Sequence, residues 1–250
     1  MPKIELDKKD FYKLLKEDTI NNLESDLEIL KAEIDYEDEN NLKIELNDTN
    51  RPDLWSSFGL ARALNTFKDK KIKDYTFKKG LSTVEVSKEI NEIRPYIACF
   101  KTSGKSLDDQ ELKTLIQLQE KLSSNFGSKR KILSIGIYKN TLINYPISYK
   151  LTDKNTNFKP LGYEYDMSIA DILIKHEKGK EYSHILKGKY PILIDNKNNI
   201  LSLVPIINSN DIGAIKIGDN ELMIEVTGVN YQMVNLVSNI LSCDLSDLGF

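Results

Sequence analysis

Apolar positions along this chain follow two periods, and the changes between them mark its elements. Residues 2–6 (PKIEL) read as a short strand. Asp7, with Asp10 three positions on, caps a helix predicted over 8–16. Leu23, Leu27 and Leu30 recur at helical spacing and predict a helix from about 20 to 30. Residues 32–36 and 42–47 then alternate as two strands around an acidic, asparagine-containing turn, the pattern of a hairpin. A polar turn, 47–53 (NDTNRPD), leads into a helix predicted from about Leu54, with Leu54, Phe58, Ala61 and Leu64–Asn65 on one face. Within this turn Arg51 reads as a fold-forming residue.

The lysine-rich stretch 69–83 lacks a pattern and suggests a domain boundary near residue 82, giving units 1–82 and 83–250. Strands are expected at 83–88 and 95–102. A helix capped by Ser106, running to about 124, buries Leu112, Leu115, Leu118–Gln119 and Leu122. Further strands are predicted at 132–138 and 146–151, and short helices within 168–187. Residues 190–195 and 200–205 flank Asn196–Asn199 as a second hairpin. Residues 221–228 alternate as a strand, and a last amphipathic helix begins near Asn230. The fold class is mixed α+β or α/β, with strands dominating the second unit.

At 250 residues, with 40% hydrophobic and 29% charged residues, the chain can bury a core. A net charge of −3 argues against a surface that is basic throughout, so any RNA contact falls to local patches such as Lys129–Lys131 and 175–180; the simpler reading of those is a solvated surface. No apolar run is long enough for a membrane span, and the charged start does not read as a signal peptide. Cys99 and Cys243 sit in apolar contexts and are expected to be buried, reduced thiols of a cytoplasmic protein.

Little in the sequence points to metal or nucleotide chemistry. There are two histidines, His176 and His184, for which surface or capping roles are expected, and no paired-cysteine or HExxH spacing. Phosphate-binding glycine loops and a GxSxG elbow are also missing from the sequence. The most suggestive group comes late, as Asn208–Ser209 and then Glu225-Val226-Thr227-Gly228. Glu225 and Thr227 are two apart on a strand and share a face, where a carboxylate and a hydroxyl can bind a ligand hydroxyl or orient a water. An ordinary polar strand face is the simpler alternative.

Several stretches resemble the β subunit of archaeal/eukaryotic-type phenylalanyl-tRNA synthetase. They are MPKIEL, IELNDTNRPDLWS (44–56), IRPYIAC (93–99), LIQLQEKL (115–122), SIGIYKN (134–140), KGKEYSHILKG (178–188), YPILID, LSLVPIINS (201–209) and IEVTG (224–228), all in family order. The resemblance implies a small N-terminal B1-like α+β domain (1–82) followed by a B3/B4-type editing domain (83–250). That module hydrolyses tyrosine wrongly esterified to tRNA(Phe). An apolar phenylalanine pocket rejects an added hydroxyl poorly, whereas a second site can reward it with a hydrogen bond.

Carried over motif by motif, Leu193 would pack on the substrate ring. Ser202, Asn208 and Thr227 would hold the ester and a water, and Glu225 would accept from the tyrosine hydroxyl. Glu225 stands where archaeal members are expected to carry aspartate, so its carboxylate is one methylene longer. The implied partners are the 3′ end of tRNA(Phe), tyrosine or phenylalanine as ligand, and the α subunit. ATP and Mg belong to the full α2β2 synthetase, and no cofactor is expected in this segment. Family β subunits continue past the point where SCDLSDLGF stands, so an expressed fragment without aminoacylation is expected. A non-catalytic module that positions tRNA or aids subunit assembly, with a degenerate pocket, is the alternative.

Overall fold

The computed structural model describes residues 2–48 and 50–250; Met1, and Thr49 within the polar turn, lie outside them. The fold is mixed α+β, as the pattern predicts. The first strand, β1 (Lys3–Asp7), leads directly into α1 (Lys8–Leu14), whose cap is Asp7 accepting from the Asp10 amide at 2.9 Å. The helix expected over 20–30 is instead two, α2 (Glu17–Asn21) and α3 (Leu23–Ile29). The Asn22 side-chain amide donates to the Asp18 carbonyl at 2.9 Å and takes the acceptor that a continuous helix would use for the Asn22 backbone N–H. β2 (Ala32–Glu37) and β3 (Asn41–Leu46) form the expected hairpin, and β3 also pairs with β1, so the sheet order is β1-β3-β2.

Arg51 makes a bidentate pair with Asp53 at 2.9 and 2.8 Å, within the turn it was expected to shape. The next helix, α4 (Ser57–Asp69), starts three residues later than expected. Pro52–Leu54 form a separate 3₁₀ turn, and Ser56 caps α4 by accepting from the Gly59 amide at 2.9 Å. Residues 71–83 then carry no helix or strand.

The remaining elements are β4 (Val84–Val86), β5 (Tyr96–Ser103), α5 (Asp109–Lys121), β6 (Leu133–Lys139), β7 (Ile147–Thr152), β8 (Asn157–Phe158), β9 (Met167–Ser168), α6 (Ile169–Lys175), α7 (Glu177–Tyr182), β10 (Tyr190–Ile194), β11 (Ile200–Leu203), β12 (Ile207–Asn208), β13 (Glu221–Gly228) and α8 (Tyr231–Leu248). Asp108, not Ser106, caps α5. It forms a reciprocal box with Glu111 that places Leu107 in the core just ahead of the helix. Two sheets dominate, a three-stranded one in the order β5-β13-β6 and a five-stranded one in the order β12-β11-β10-β7-β4. Alternation along β13 divides its side chains. Leu222, Ile224 and Val226 enter a core with α5 and α8, while Met223 on the opposite face joins Tyr138, Tyr149, Leu193 and Leu201 in a second core. The first of these cores is continuous with the N-terminal sheet and helices, including Ile4, Leu42, Leu54 and Leu64.

Three expectations about single residues change. Cys99 is exposed because β5 is an edge strand, and Cys243 is half-buried; both are free thiols rather than core thiols. Arg130, expected on a solvated patch, is buried. His176 does take a capping role, accepting from the Lys178 amide at 3.1 Å. Among the described residues, no helix is long and apolar enough to cross a membrane, and no group of side chains could hold a metal ion.

α4 and α8 are joined by a polar network. Fully buried Asp244 accepts from the Ser56 hydroxyl and from Arg62 at 2.7 Å, while Asp247 binds Arg62, Lys73 and Tyr75. Burial pushes the Asp244 pKa up to about 6 from an ordinary 3.8, against the pull of Arg62 and Ser56. The folded chain therefore holds this proton more tightly than the unfolded one. The stability contribution is full below pH ~4, falls as pH rises toward about 6, and is flat beyond. At ~1.4 kcal/mol per pH unit the loss over that window is on the order of 3 kcal/mol. In urea titrations between pH 4 and 7, the stability difference between wild type and Asp244→Asn should shrink by that order. A pH-independent difference would refute the assignment.

Candidate functional site

Where the two sheets meet beside α5 lies a cleft of about 230 Å³. Its walls come from Gln119 and Glu120 of α5, Ser134, Ile135, Ile137 and Tyr138 of β6, the turn 202–208 with β11 and β12, residues 213–215, and Glu225 of β13. Three of the five residues singled out from sequence line it, namely Ser202, Asn208 and Glu225. Strand register explains the grouping. Leu193, Ser202 and Asn208 form one row across β10, β11 and β12. Gly136 and Ser134 stand opposite Glu225 and Thr227 on the paired strands β6 and β13.

Glu225 is 2% exposed and its carboxylate is committed on one side only. Oε2 lies 2.8 Å from the Tyr138 hydroxyl, which lies 2.9 Å from Ser202 Oγ. A phenol has one proton and a carboxylate only accepts, so Tyr138 donates to Glu225 and accepts from Ser202. Oε1 is buried and takes no hydrogen bond among the described residues. Burial pushes the Glu225 pKa above the usual carboxylate range, partly offset by the Tyr138 and Thr227 hydroxyls and the Arg94 charge; burial likewise drives the Tyr138 phenol well up. The arrangement depends on Gly136. A Cβ there would come within 2.3 Å of the Tyr138 hydroxyl and 2.4 Å of Glu225 Oε2. The missing side chain leaves the space through which the phenol of Tyr138, two residues along the same face, reaches the carboxylate.

Asn208 is half-buried. Its amide nitrogen donates to the carbonyls of Ile137 and Gly213, both at 3.3 Å, which orients the side chain and leaves its oxygen without a protein donor among the described residues. Leu193 and Thr227 sit behind the cleft wall. Leu193 is 1% exposed in the core with Tyr138 and Tyr149. Thr227 is fully buried, its hydroxyl 3.0 Å from both Arg94 Nε and Ser134 Oγ. Thr227 thus reaches the cleft through its neighbours there, Ser134 and Glu225.

Arg94 and Arg130 brace this region and were not selected from sequence. Arg94 is 2% exposed and donates to Thr227 Oγ1, the Thr227 and Arg130 carbonyls, and Ser134 Oγ at 2.9–3.1 Å. Arg130 donates to the carbonyls of Pro205 and Ile206 at 3.2 and 2.8 Å and to Glu120 at 3.0 Å, and its guanidinium stacks 4.5 Å from the Tyr182 ring. Ser128, Lys129 and Arg130 all adopt left-handed backbone, with φ of 51°, 52° and 64°. Each costs roughly 1–2 kcal/mol for a non-glycine. The amides of Lys129 and Arg130, bonded to Ser124 and Ser123 carbonyls at 2.7 and 2.9 Å, help to hold the run in place. The available signal was Gly136 inside an otherwise bulky strand, which marks a close approach.

No family model matches the sequence. The chain is similar to the phenylalanine–tRNA ligase β subunit of Borreliella afzelii (strain PKo), 44% identical over 262 residues, an alignment spanning 100% of this chain and 46% of that protein. The corresponding subunit of Borrelia duttonii (strain Ly) is 45% identical with the same coverage. This chain therefore spans about half the length of these curated relatives. A crystal structure of an N-terminal fragment of the phenylalanyl-tRNA synthetase β subunit from Pyrococcus horikoshii superposes with a TM-score of 0.93 at 37% identity, covering 98% of this chain and 74% of that one. Fold and sequence agree on the class, a subunit of an aminoacyl-tRNA synthetase. The chain belongs to the phenylalanyl-tRNA synthetase β-subunit family.

Two substitutions test the geometry. Tyr138→Phe strips the donor from Glu225 Oε2 and should destabilise the chain by about 1–3 kcal/mol. Gly136→Ala should cost a similar amount, through the clash with Tyr138 and Glu225. Because Tyr138→Phe removes the atom nearest that Cβ, the double variant should lose less than the sum in denaturant titrations. Additive losses would mean that the Cβ clash is relieved elsewhere.

Proposed function

We propose that this chain is the proofreading part of a phenylalanine–tRNA ligase β subunit, a B3/B4-type module that hydrolyses tyrosine wrongly esterified to tRNA(Phe). The observation that carries the reading is the half-used carboxylate of Glu225 in the cleft wall. A buried acceptor without a donor is costly, and a ligand hydroxyl would supply the missing hydrogen bond. Tyrosine has that hydroxyl and phenylalanine does not. At about 230 Å³ the cleft falls below the roughly 300–1,000 Å³ of sites for drug-sized ligands, in keeping with one amino-acid-sized group.

In this reading the tyrosyl ring enters between Ile137 and the 202–208 turn, and its hydroxyl meets Glu225 Oε1. Asn208 and Ser202 face the ester and an attacking water, and Thr227 acts through Ser134 on the position of that wall. The longer side chain of Glu225, relative to the aspartate expected there, is matched by Gly136, which gives it room. No side chain is assigned as general base; a tRNA hydroxyl or bound water can serve. Leu193 shapes the cleft from behind, through Tyr138, rather than by touching the ring.

The wider context is part of the same proposal. The chain acts within a cytoplasmic synthetase whose α subunit attaches phenylalanine to tRNA(Phe) with ATP and Mg, the tRNA 3′ end being delivered to this module. The archaeal/eukaryotic type rests on the motifs, since the two curated relatives named above are bacterial. A non-catalytic, tRNA-positioning role is the second reading, favoured by the capture of Glu225 Oε2 by Tyr138.

Hydrolysis of tyrosyl-tRNA(Phe), with phenylalanyl-tRNA(Phe) as control, separates the two. The chain should clear the tyrosyl ester selectively, and Glu225→Ala should lose at least ~10-fold of that activity, the range expected for one hydrogen bond to a charged group. Unchanged hydrolysis in the variant would remove the role of Glu225. No hydrolysis by wild type, Glu225→Asp or a full-length β subunit paired with its α subunit would favour the positioning module.

A further inference from the structure

A second, larger cleft of about 640 Å³ lies on the other side of the 204–206 turn, and Pro205 lines both. Its charge is lopsided. Lys131, His184, Lys187 and Lys189 line it, against a single carboxylate, Glu92, which is engaged by Lys189 at 2.7 Å. Lys131, His184 and Lys187 are exposed and form no ion pair among the described residues. Arg94 belongs to the same wall. Its hydrogen bonds all go to neutral groups, and no carboxylate lies within ion-pair distance of it among the described residues. Burial pulls its pKa down only to about 10, so it carries its charge at neutral pH. Glu225 attracts this cation from the first cleft without touching it, and an anion in the second cleft would pair with it from the other side.

The two clefts are also joined through the chain. Arg130 turns inward to the first cleft while the next residue, Lys131, serves the second. Arg94, in the second cleft, bonds to Ser134, in the first. We propose that the second cleft seats a backbone phosphate of an RNA strand whose terminal ester passes over Pro205 into the Glu225 cleft. The direction of the strand, 3′ end at Glu225, rests on the hydrolase reading; the phosphate seat rests on the charges alone.

The test measures binding of uncharged tRNA(Phe) and of a short single-stranded RNA to the chain by fluorescence anisotropy across a salt series. Lys131→Gln/Lys187→Gln removes two exposed, unpaired charges. It should weaken both RNAs roughly tenfold at low salt and reduce the log–log salt slope by about 1, the value for one phosphate. Glu92→Gln frees Lys189 and should tighten binding. Lys9→Gln/Lys154→Gln makes the same change in net charge away from the cleft and should have little effect. Circular dichroism checks that each variant is folded. Equal losses in the two double variants, or no loss in the first, would overturn the proposal. So would inorganic phosphate binding that the first double variant abolishes while RNA affinity is unchanged, since the seat would then serve a free phosphate. If wild type hydrolyses no tyrosyl-tRNA yet the RNA effects hold, the hydrolase reading fails and the phosphate seat stands. If hydrolysis is selective but the RNA effects are absent, the phosphate seat alone fails.

Discussion

A carboxylate taken out of water must find donors or give up its charge, and much of the candidate site is arranged around how Glu225 meets that demand. One oxygen is met by Tyr138. The phenol reaches it only because the intervening position on β6, directly across from Glu225, is glycine. Ser202 completes the chain from the neighbouring sheet, so the hydrogen bonds that hold Glu225 also tie the two sheets together at the cleft. What remains on Glu225 is Oε1, without a hydrogen bond among the described residues, in a wall that isoleucine, leucine and valine share with polar side chains.

Two arginines do for the backbone what Tyr138 does for the carboxylate. Arg94 gathers the ends of β6 and β13 through Ser134 and both acceptors of Thr227. Arg130 holds the turn 205–206 against α5 and α7. The left-handed run 128–130 is the local cost of turning Arg130 inward while Lys131 stays in solvent. That strain sits between two clefts, the kind of place where strained backbone tends to gather.

Local patterns made much of this legible. Alternation in 221–228 put Glu225 and Thr227 on one face of β13, and the hairpin signal at 196–199 brought Ser202 beside Leu193. The departures share a cause, which is that side chains compete for backbone or find distant partners. Asn22 broke a helix whose apolar spacing was intact, by taking a carbonyl for its own amide. Asp108 outcompeted Ser106 because its box with Glu111 is reciprocal. Cys99 is apolar in context yet exposed, because strand order rather than sequence decides which strand is an edge. Tyr138 ends a predicted strand, and its partnership with Glu225, 87 residues away, needs the register of β6 on β13 to be seen. Arg130 sat in a run of basic residues that gave no sign which of them would turn inward.

The N-terminal sheet and the helices under β13 share one apolar core, with Trp55 set edge-on against Phe126 and α4 tied to α8 through Asp244. Residues 71–83 therefore act as a strap laid across a joint that is already closed, and not as a swivel. Anything that grips the N-terminal sheet thereby aims the cleft, in the way that a tool's handle sets the direction of its blade.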